Sequence, residues 1–324
     1  MHDVDGLAGW DAAVAAYLDS RHAIGRAYVK EEWILGRLRK FLVSAGATDL
    51  DAALFDRWRA QFYRHSSSTR FTYEYTVFCF CRYRRRRERD SFLPDRASLT
   101  RQKPHRLPAI IEPPQIALLL DYASRLPARQ WRYRMRASAM RLAVVLLYTA
   151  GLRRGEVVRL TLGDVDTEEG VLRIRESKFH KSRWVPLSAS ATAELARYLD
   201  ARRSARFDEH AGAPLLCTEG SHFYSGGGLF RGLKQLMREA GIHDGAGRVP
   251  RVQDFRHSFA VTALRRWYEA DADVQANLPR LALYMGHVSI ASTAYYLRWM
   301  PAIVAQASDR FARSCAGVVE GGVP

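Results

Sequence analysis

The sequence predicts a mainly α protein in two parts: a small helical domain, then a larger, mostly helical domain with one small β-sheet or hairpin. Three observations predict it. The chain has 324 residues, enough for two cores at roughly 150 residues per domain. Apolar side chains recur at helical spacing through most of its length. One stretch, 91–114 (SFLPDRASLTRQKPHRLPAIIEPP), interrupts that pattern with five prolines and several basic residues, the composition of a connecting segment. The boundaries drawn are 1–97 for the first domain, 98–112 for the linker and 113–324 for the second domain with its C-terminal tail.

In the first domain, residues 8–20 and 26–45 are periodic, with Ile34, Leu38, Phe41 and Ala45 on one face and Gly46 as a stop. Residues 49–63 read as a helix capped by Asp49 or Asp51, whose carboxylate can accept from an unpaired first-turn amide. Residues 68–90 open at Ser68 or Thr69 and space Phe71, Tyr75, Phe78, Arg82 and Arg86 as a helix does, although TYEYTVFCF within them is rich in β-formers. In the second domain, 113–126 starts with proline at an early helical position. Residues 136–150 end in LAVVLLYTA, apolar nearly all round and therefore a buried helix. GVLRIRE and RWVPLS are β-like runs flanking SKFHKS, which makes a hairpin. Helices follow at about 189–204, 228–240, 253–268, 273–285 and 289–297, and an amphipathic one at 301–315 trails into a glycine-rich tail.

Composition narrows the function. Fifty Lys+Arg against 34 Asp+Glu give a net charge of +16, which favours a polyanionic partner, most often nucleic acid. The apolar run 142–152 is about half the ~20 residues a bilayer span needs, and the acidic start MHDVDGLAGW lacks the apolar core of a secretory signal. The cysteines (Cys79, Cys81, Cys217, Cys315) form no CxxC pair, so neither a zinc site nor a disulfide framework is expected and a reducing compartment fits. The localisation expected for such a basic chain is cytoplasmic, associated with the nucleoid. Charge is also uneven. Residues 1–56 carry six basic and nine acidic side chains; residues 57–107 carry fourteen and four, including Arg64, Arg70, Arg82, Arg84, Arg85, Arg86 and Arg87. A net of +10 there favours DNA contact over a merely solvated basic helix. Only six of the fifty basic residues are lysine, among them Lys178 and Lys181 in the hairpin turn.

Four segments carry candidate chemistry. TAGLRRGEVVRL ends a buried helix at Gly151 and presents Arg153, with Glu156 one turn later. A guanidinium there can hold an anion bidentately, with Glu156 orienting it; a surface ion pair at i, i+3 is the plainer reading of this segment alone. In the hairpin, Lys178 can donate a proton, as arginine does not, or can be a solvated turn residue. PRVQDFRHSFAVTAL sets Arg256 on a helix whose core face is Phe255, Phe259 and Trp267. LALYMGHVSIASTAYYLRW has His287 after Met285–Gly286 and Tyr296 nine residues later; capping and packing are the plainer readings of these two.

Together, in this order and spacing, these segments resemble the active site of the tyrosine recombinase (phage integrase) family, in which the pattern is GLRxxEL, a hairpin lysine about 25 residues on, HxLRH, LGH, and a tyrosine nine residues past that histidine. Here the matching residues are GLRRGEV, Lys178, QDFRH, MGH and Tyr296, and the resemblance covers about 110–300. The chain departs from the pattern at Gln253, where the family has histidine; glutamine can hydrogen-bond a phosphate oxygen but does not titrate near pH 7. His257 is the histidine that usually follows the arginine, and is not the missing one.

The resemblance implies a two-domain DNA clamp, a helical core-binding domain plus a catalytic domain, acting as a site-specific recombinase, the integrase or transposase of a mobile element. It implies attack by Tyr296 on a backbone phosphate, a 3′-phosphotyrosine intermediate, Arg153 and Arg256 on the nonbridging oxygens, Lys178 as general acid, and His287 and Gln253 as phosphate hydrogen-bond donors, with no metal, ATP or other cofactor. It implies double-stranded DNA as partner and a homo- or hetero-tetramer of protomers on it. Two alternatives stay open: a type IB topoisomerase-like nicking enzyme, and a catalytically weak DNA-binding partner of an active homologue, which Gln253 keeps in view.

Overall fold

In the computed structural model of the chain, the described residues are 7–103, 106–127, 134–175, 182–218, 221–287 and 289–299. The chain divides into two compact units, residues 1–106 and 107–324. The hairpin turn with Lys178 and Lys181 and the expected tail helix 301–315 lie outside the described residues.

The first unit is helical: α1 (Ala8–His22), α2 (Val29–Ser44), α3 (Ala52–Ala60) and α4 (Ser67–Arg84). They close on a core that includes Trp10, Tyr17, Leu38, Trp58, Phe62 and Phe80. Of the two aspartates offered as cap, Asp51 caps α3, accepting from the Leu54 amide at 2.7 Å. Ser66, two positions before Ser68, caps α4. The β-prone run inside α4 is helical because burial decides it: Tyr73, Val77, Phe78 and Phe80 all pack into the core. The helix stops at Arg84, short of the expected residue 90. Further turns would stack Arg82, Arg85, Arg86 and Arg89 on one face, where like charges repel. Asp11 ties α1 to α2 through two bonds to Arg39, at 2.6 and 2.7 Å. Residues 98–103 belong to this unit. Leu99 enters its core, and the buried Glu74 carboxylate accepts from the Thr100 amide (2.6 Å) and hydroxyl (2.7 Å).

The second unit is built around α6 (Arg136–Thr149), whose Ala139, Leu142, Ala143, Val144, Leu146 and Leu147 are all buried. The unit is entered through Ile111, which is buried in its core and donates its amide to Ser258 Oγ at 2.8 Å. Then come α5 (Pro113–Ser124), α6 and a short helix α7 (Arg154–Arg159). A three-stranded antiparallel sheet follows in the order β1 (Val165–Asp166), β2 (Val171–Ile174), β3 (Arg183–Pro186). The expected hairpin is β2–β3, with Leu172 opposite Val185 and Ile174 opposite Arg183; β1 extends it by two residues. The remaining elements are α8 (Ala189–Ser204), α9 (Gly226–Glu239), α10 (Val252–Glu269), α11 (Val274–Met285) and α12 (Ala291–Ala294), which runs into a 3₁₀ turn over Tyr295–Trp299. Among the described residues no helix is long and apolar enough to cross a membrane.

Candidate active site

The site assembles where three chain reversals meet: the exit of α6, the C-terminus of α11 and the 3₁₀ turn after α12. Gly151 leaves α6 with φ +57°, and a side chain there would collide with the Phe259 ring, so the turn requires glycine. Two residues later Arg153 is the N-cap of α7. Glu156, at the third helical position, accepts from the Arg153 amide at 2.9 Å, satisfying an unpaired first-turn donor. The same carboxylate accepts from Arg153 Nη1 at 2.8 Å. The ion pair foreseen at i, i+3 therefore exists, but Glu156 is buried (3 % exposed) rather than on the surface.

At the other reversal, α11 ends at Gly286 in the left-handed conformation, leaving its last carbonyls without helical partners. Three guanidiniums take them. Arg183 Nε donates to the Tyr284 carbonyl (2.8 Å), Arg256 Nη2 to that of Met285 (2.6 Å) and Arg153 Nη2 to that of Gly286 (2.6 Å). The negative end of the helix dipole thus gathers cations. Arg256 also donates to the Gly151 carbonyl at 2.6 Å, joining the two glycine turns. Arg183 closes the cluster with a two-pronged bond to Glu156, at 3.0 and 2.9 Å. Two guanidiniums therefore pair with one carboxylate and Arg256 is held by backbone carbonyls alone, so the site holds a fixed excess of positive charge. Arg256 is 2 % exposed; burial first and the neighbouring Arg153 second push its pKa down to about 9, so it remains cationic at neutral pH.

Tyr296 sits in the 3₁₀ turn and is 3 % exposed. Its hydroxyl lies 3.2 Å from His257 Nδ1, and its ring stacks on that of His287 (centroids 6.2 Å apart, planes 25° apart). Burial raises its pKa, while Arg256 and Arg153 pull it down. His287 follows Gly286 directly, and its Nδ1 pairs with the buried Thr293 hydroxyl at 2.7 Å. A hydroxyl donating to Nδ1 leaves the Nε2 proton for an anion. Burial, then the charges of Arg256 and Arg153, lower the His287 pKa to about 4.

Of the residues expected in the site, the fold brings together Arg153, Glu156, Arg256, His287 and Tyr296. Gln253 lies half-buried on α10 one turn before Arg256. Lys178 is outside the described residues. Sequence reasoning misses Arg183, yet a signal exists: strand alternation puts it on the same face as the buried Val185, and an arginine on a core face needs partners. Thr293 gives no signal. Among the described residues no group of three or more His, Cys, Asp or Glu stands close enough to share a metal ion.

The arginines expected to meet DNA are in the first unit, and they are not alike. Arg64, Arg82, Arg85, Arg86 and Arg87 are exposed, while Arg70 is half-buried. Arg82 and Arg87 lie over the Phe78 and Tyr83 rings, at 5.6 and 4.2 Å from the centroids. Arg84 is instead held by Asp49 and, at 2.6 Å, by Glu88.

Known proteins agree with this reading. The sequence profile described as "Phage integrase family" matches residues 110–301. The putative integrase/recombinase y4rE of Sinorhizobium fredii is 33% identical over 309 residues, covering 92% of this chain and 94% of that protein. The tyrosine recombinase XerC of Chromobacterium violaceum is 36% identical over 151 residues, 47% of this chain and 45% of its own length. In fold, the chain is similar to XerH site-specific recombinase bound to a palindromic difH substrate (TM-score 0.61, 17% identity, 86% of this chain and 77% of that one). It is also similar to the Tn1549 transposon integrase in complex with transposon right end DNA (TM-score 0.60, 16% identity, 88% and 94%). With these matches over most of its length, the chain belongs to the phage integrase family of tyrosine recombinases, enzymes that transfer DNA strands.

Proposed function

We propose that this chain is the site-specific recombinase of a mobile element, and that it cuts and rejoins double-stranded DNA through a 3′-phosphotyrosine at Tyr296. The observation that carries the proposal is a buried phenol set against two histidines and beside Arg153 and Arg256, with Arg153 and Arg183 sharing the Glu156 carboxylate. A phosphate diester attacked in line gains negative charge on its nonbridging oxygens, and fixed cations that need not reorganise lower that barrier. Arg153 and Arg256 supply them, and His287 adds a hydrogen bond. Gln253 offers an uncharged hydrogen bond where the family pattern HxLRH has histidine. Lys178 is assigned the proton for the departing 5′-oxygen. Each role falls to a side chain of this protein, so the scheme calls for neither a metal nor a nucleotide cofactor.

The first unit is the proposed core-binding domain and the second the catalytic domain, joined between residues 103 and 111 rather than over the whole of 98–112, and closing on DNA as a clamp. Exposed guanidiniums backed by aromatic rings keep their N–H edges for phosphates. The DNA-bound states of XerH and the Tn1549 integrase support DNA as the partner, and the latter supports a transposon-type role. A tetramer of protomers on DNA is the assembly that strand exchange between two duplexes requires.

Nicked suicide duplexes from a randomised-sequence pool test the proposal. Wild-type protein should become covalently attached to a subset of them, and Tyr296→Phe should attach to none. Attachment that survives Tyr296→Phe overturns the nucleophile. No attachment by the wild type favours the DNA-binding-partner alternative that Gln253 suggests.

A further inference from the structure

A phenol is a poor nucleophile until its proton has somewhere to go. Around the Tyr296 hydroxyl, the described residues offer few acceptors. Arg153 and Arg256 only donate. His287 meets the tyrosine ring face to face and spends its Nδ1 on Thr293. Asp254, on the same helix as His257, is fully buried and committed to Arg251, accepting from its amide (2.8 Å) and from Nη2 (2.8 Å). The position where the family pattern HxLRH has histidine holds Gln253, which cannot take a proton. What remains within hydrogen-bond reach is His257 Nδ1, at 3.2 Å.

We propose that His257 is the proton acceptor for Tyr296. Nδ1 takes the phenolic proton as the tyrosine oxygen bonds to phosphorus and the bond from phosphorus to the 5′-oxygen breaks. The imidazolium so formed returns the proton to the phenolate when the DNA strand is rejoined. The assignment rests on the phosphotyrosine reading above and adds a catalytic residue to it. Accepting at Nδ1 needs a neutral ring with its proton on Nε2, and the surroundings keep the ring neutral. Burial is the main cause of its lowered pKa, opposed by Asp254 and reinforced by Arg251 and Arg256, with His287 and Tyr296 facing it from the α11 end and the 3₁₀ turn. An incoming phosphate offsets those cations and strengthens the base when it is needed.

The test is single-turnover attachment to a nicked duplex captured by the wild type from the randomised pool. His257→Asn keeps a hydrogen-bond acceptor near the phenol but cannot be protonated; His257→Ala removes both. Both should attach about 10²-fold more slowly or worse, with unchanged affinity for the same duplex. The wild-type rate should fall on the acid side as His257 takes a proton from solvent, and that limb should vanish in His257→Asn. Wild-type rates in both variants overturn the proposal. So does a His257→Asn that is as fast as wild type while His257→Ala is slow, because a hydrogen bond alone would then suffice. The pH–rate profile of the wild type is a check independent of any variant's folding: a profile without an acid limb also overturns it. A wild type that never attaches fails the parent reading instead.

Discussion

Each unit has ion-paired and ring-stacked arginines, but the ring-stacked set of the first unit and the site cluster of the second are held in opposite ways. In the first, guanidiniums lie over rings: Arg37 over Trp33 and Phe62, Arg64 over Tyr63, Arg82 over Phe78, Arg87 over Tyr83. A ring face holds a guanidinium without consuming its N–H edges. Among the described residues no carboxylate pairs with Arg82, Arg85, Arg86 or Arg87. In the second unit, Arg153, Arg183 and Arg256 spend donors on three helix-end carbonyls and on Glu156, and two of the three are nearly enclosed. One arrangement leaves charge adaptable for a long polyanion; the other fixes its position and direction, as a transition state demands.

The sharpest way to break this comparison is to remove Glu156. Glu156→Ala leaves Arg153 and Arg183 without their buried counter-charge and the α7 amide without its partner, and should destabilise the protein by about 3–5 kcal/mol. Thermal and denaturant melts will check it; a loss under 1 kcal/mol would mean the cluster is not a closed network. A smaller effect separates arginines within the first unit. Replacing Arg85 and Arg86 with alanine should leave the melt unchanged, and adding Arg87→Ala should cost no more than the ~0.5–1 kcal/mol of its contact with Tyr83. The triple replacement should flatten the salt dependence of DNA affinity by about 0.9 in log–log slope for each phosphate that is no longer neutralised. Arg84→Ala should instead cost about 1 kcal/mol of stability, because it breaks two ion pairs, and change the salt slope least.

A further effect is on pH. His257 and His287 have pKa values lowered from 6.5 to about 4. Between these values the unfolded chain binds more protons than the folded one, so stability rises with pH. Their contribution is complete above about pH 6.5 and is lost as pH falls toward 4. The melting temperature of a His257→Asn, His287→Asn double variant should therefore depend less on pH across that window than the wild type's.

Much of this is legible in the sequence where a residue's role is local. The cap at Asp51, the glycine stop, the buried α6 and the β2–β3 pairing all follow from nearest-neighbour chemistry. The spacing of Arg153, Arg256, His287 and Tyr296 carries the site because Arg153, His287 and Tyr296 fall at element boundaries and Arg256 lies just over one turn into α10. What is not legible depends on partners far along the chain. Arg183 finds Glu156 27 residues away and the Tyr284 carbonyl 101 away. Thr293 matters only because α12 returns to His287. The end of α4 escapes a reading by helical spacing, which leaves out the repulsion that an arginine run builds up. Arg84 looks in the sequence like one more exposed arginine, because its partner Asp49 lies 35 residues upstream at a position that reads equally well as a helix cap.

The central claim is that Tyr296, and not its neighbour, is the nucleophile. Tyr295 is 37 % exposed where Tyr296 is buried beside the guanidiniums, so exposure alone would favour the wrong residue. Peptide mapping by mass spectrometry of wild-type protein trapped on a nicked duplex distinguishes them. The nucleotide adduct should sit on Tyr296; an adduct on Tyr295, or on any other residue, would contradict the account.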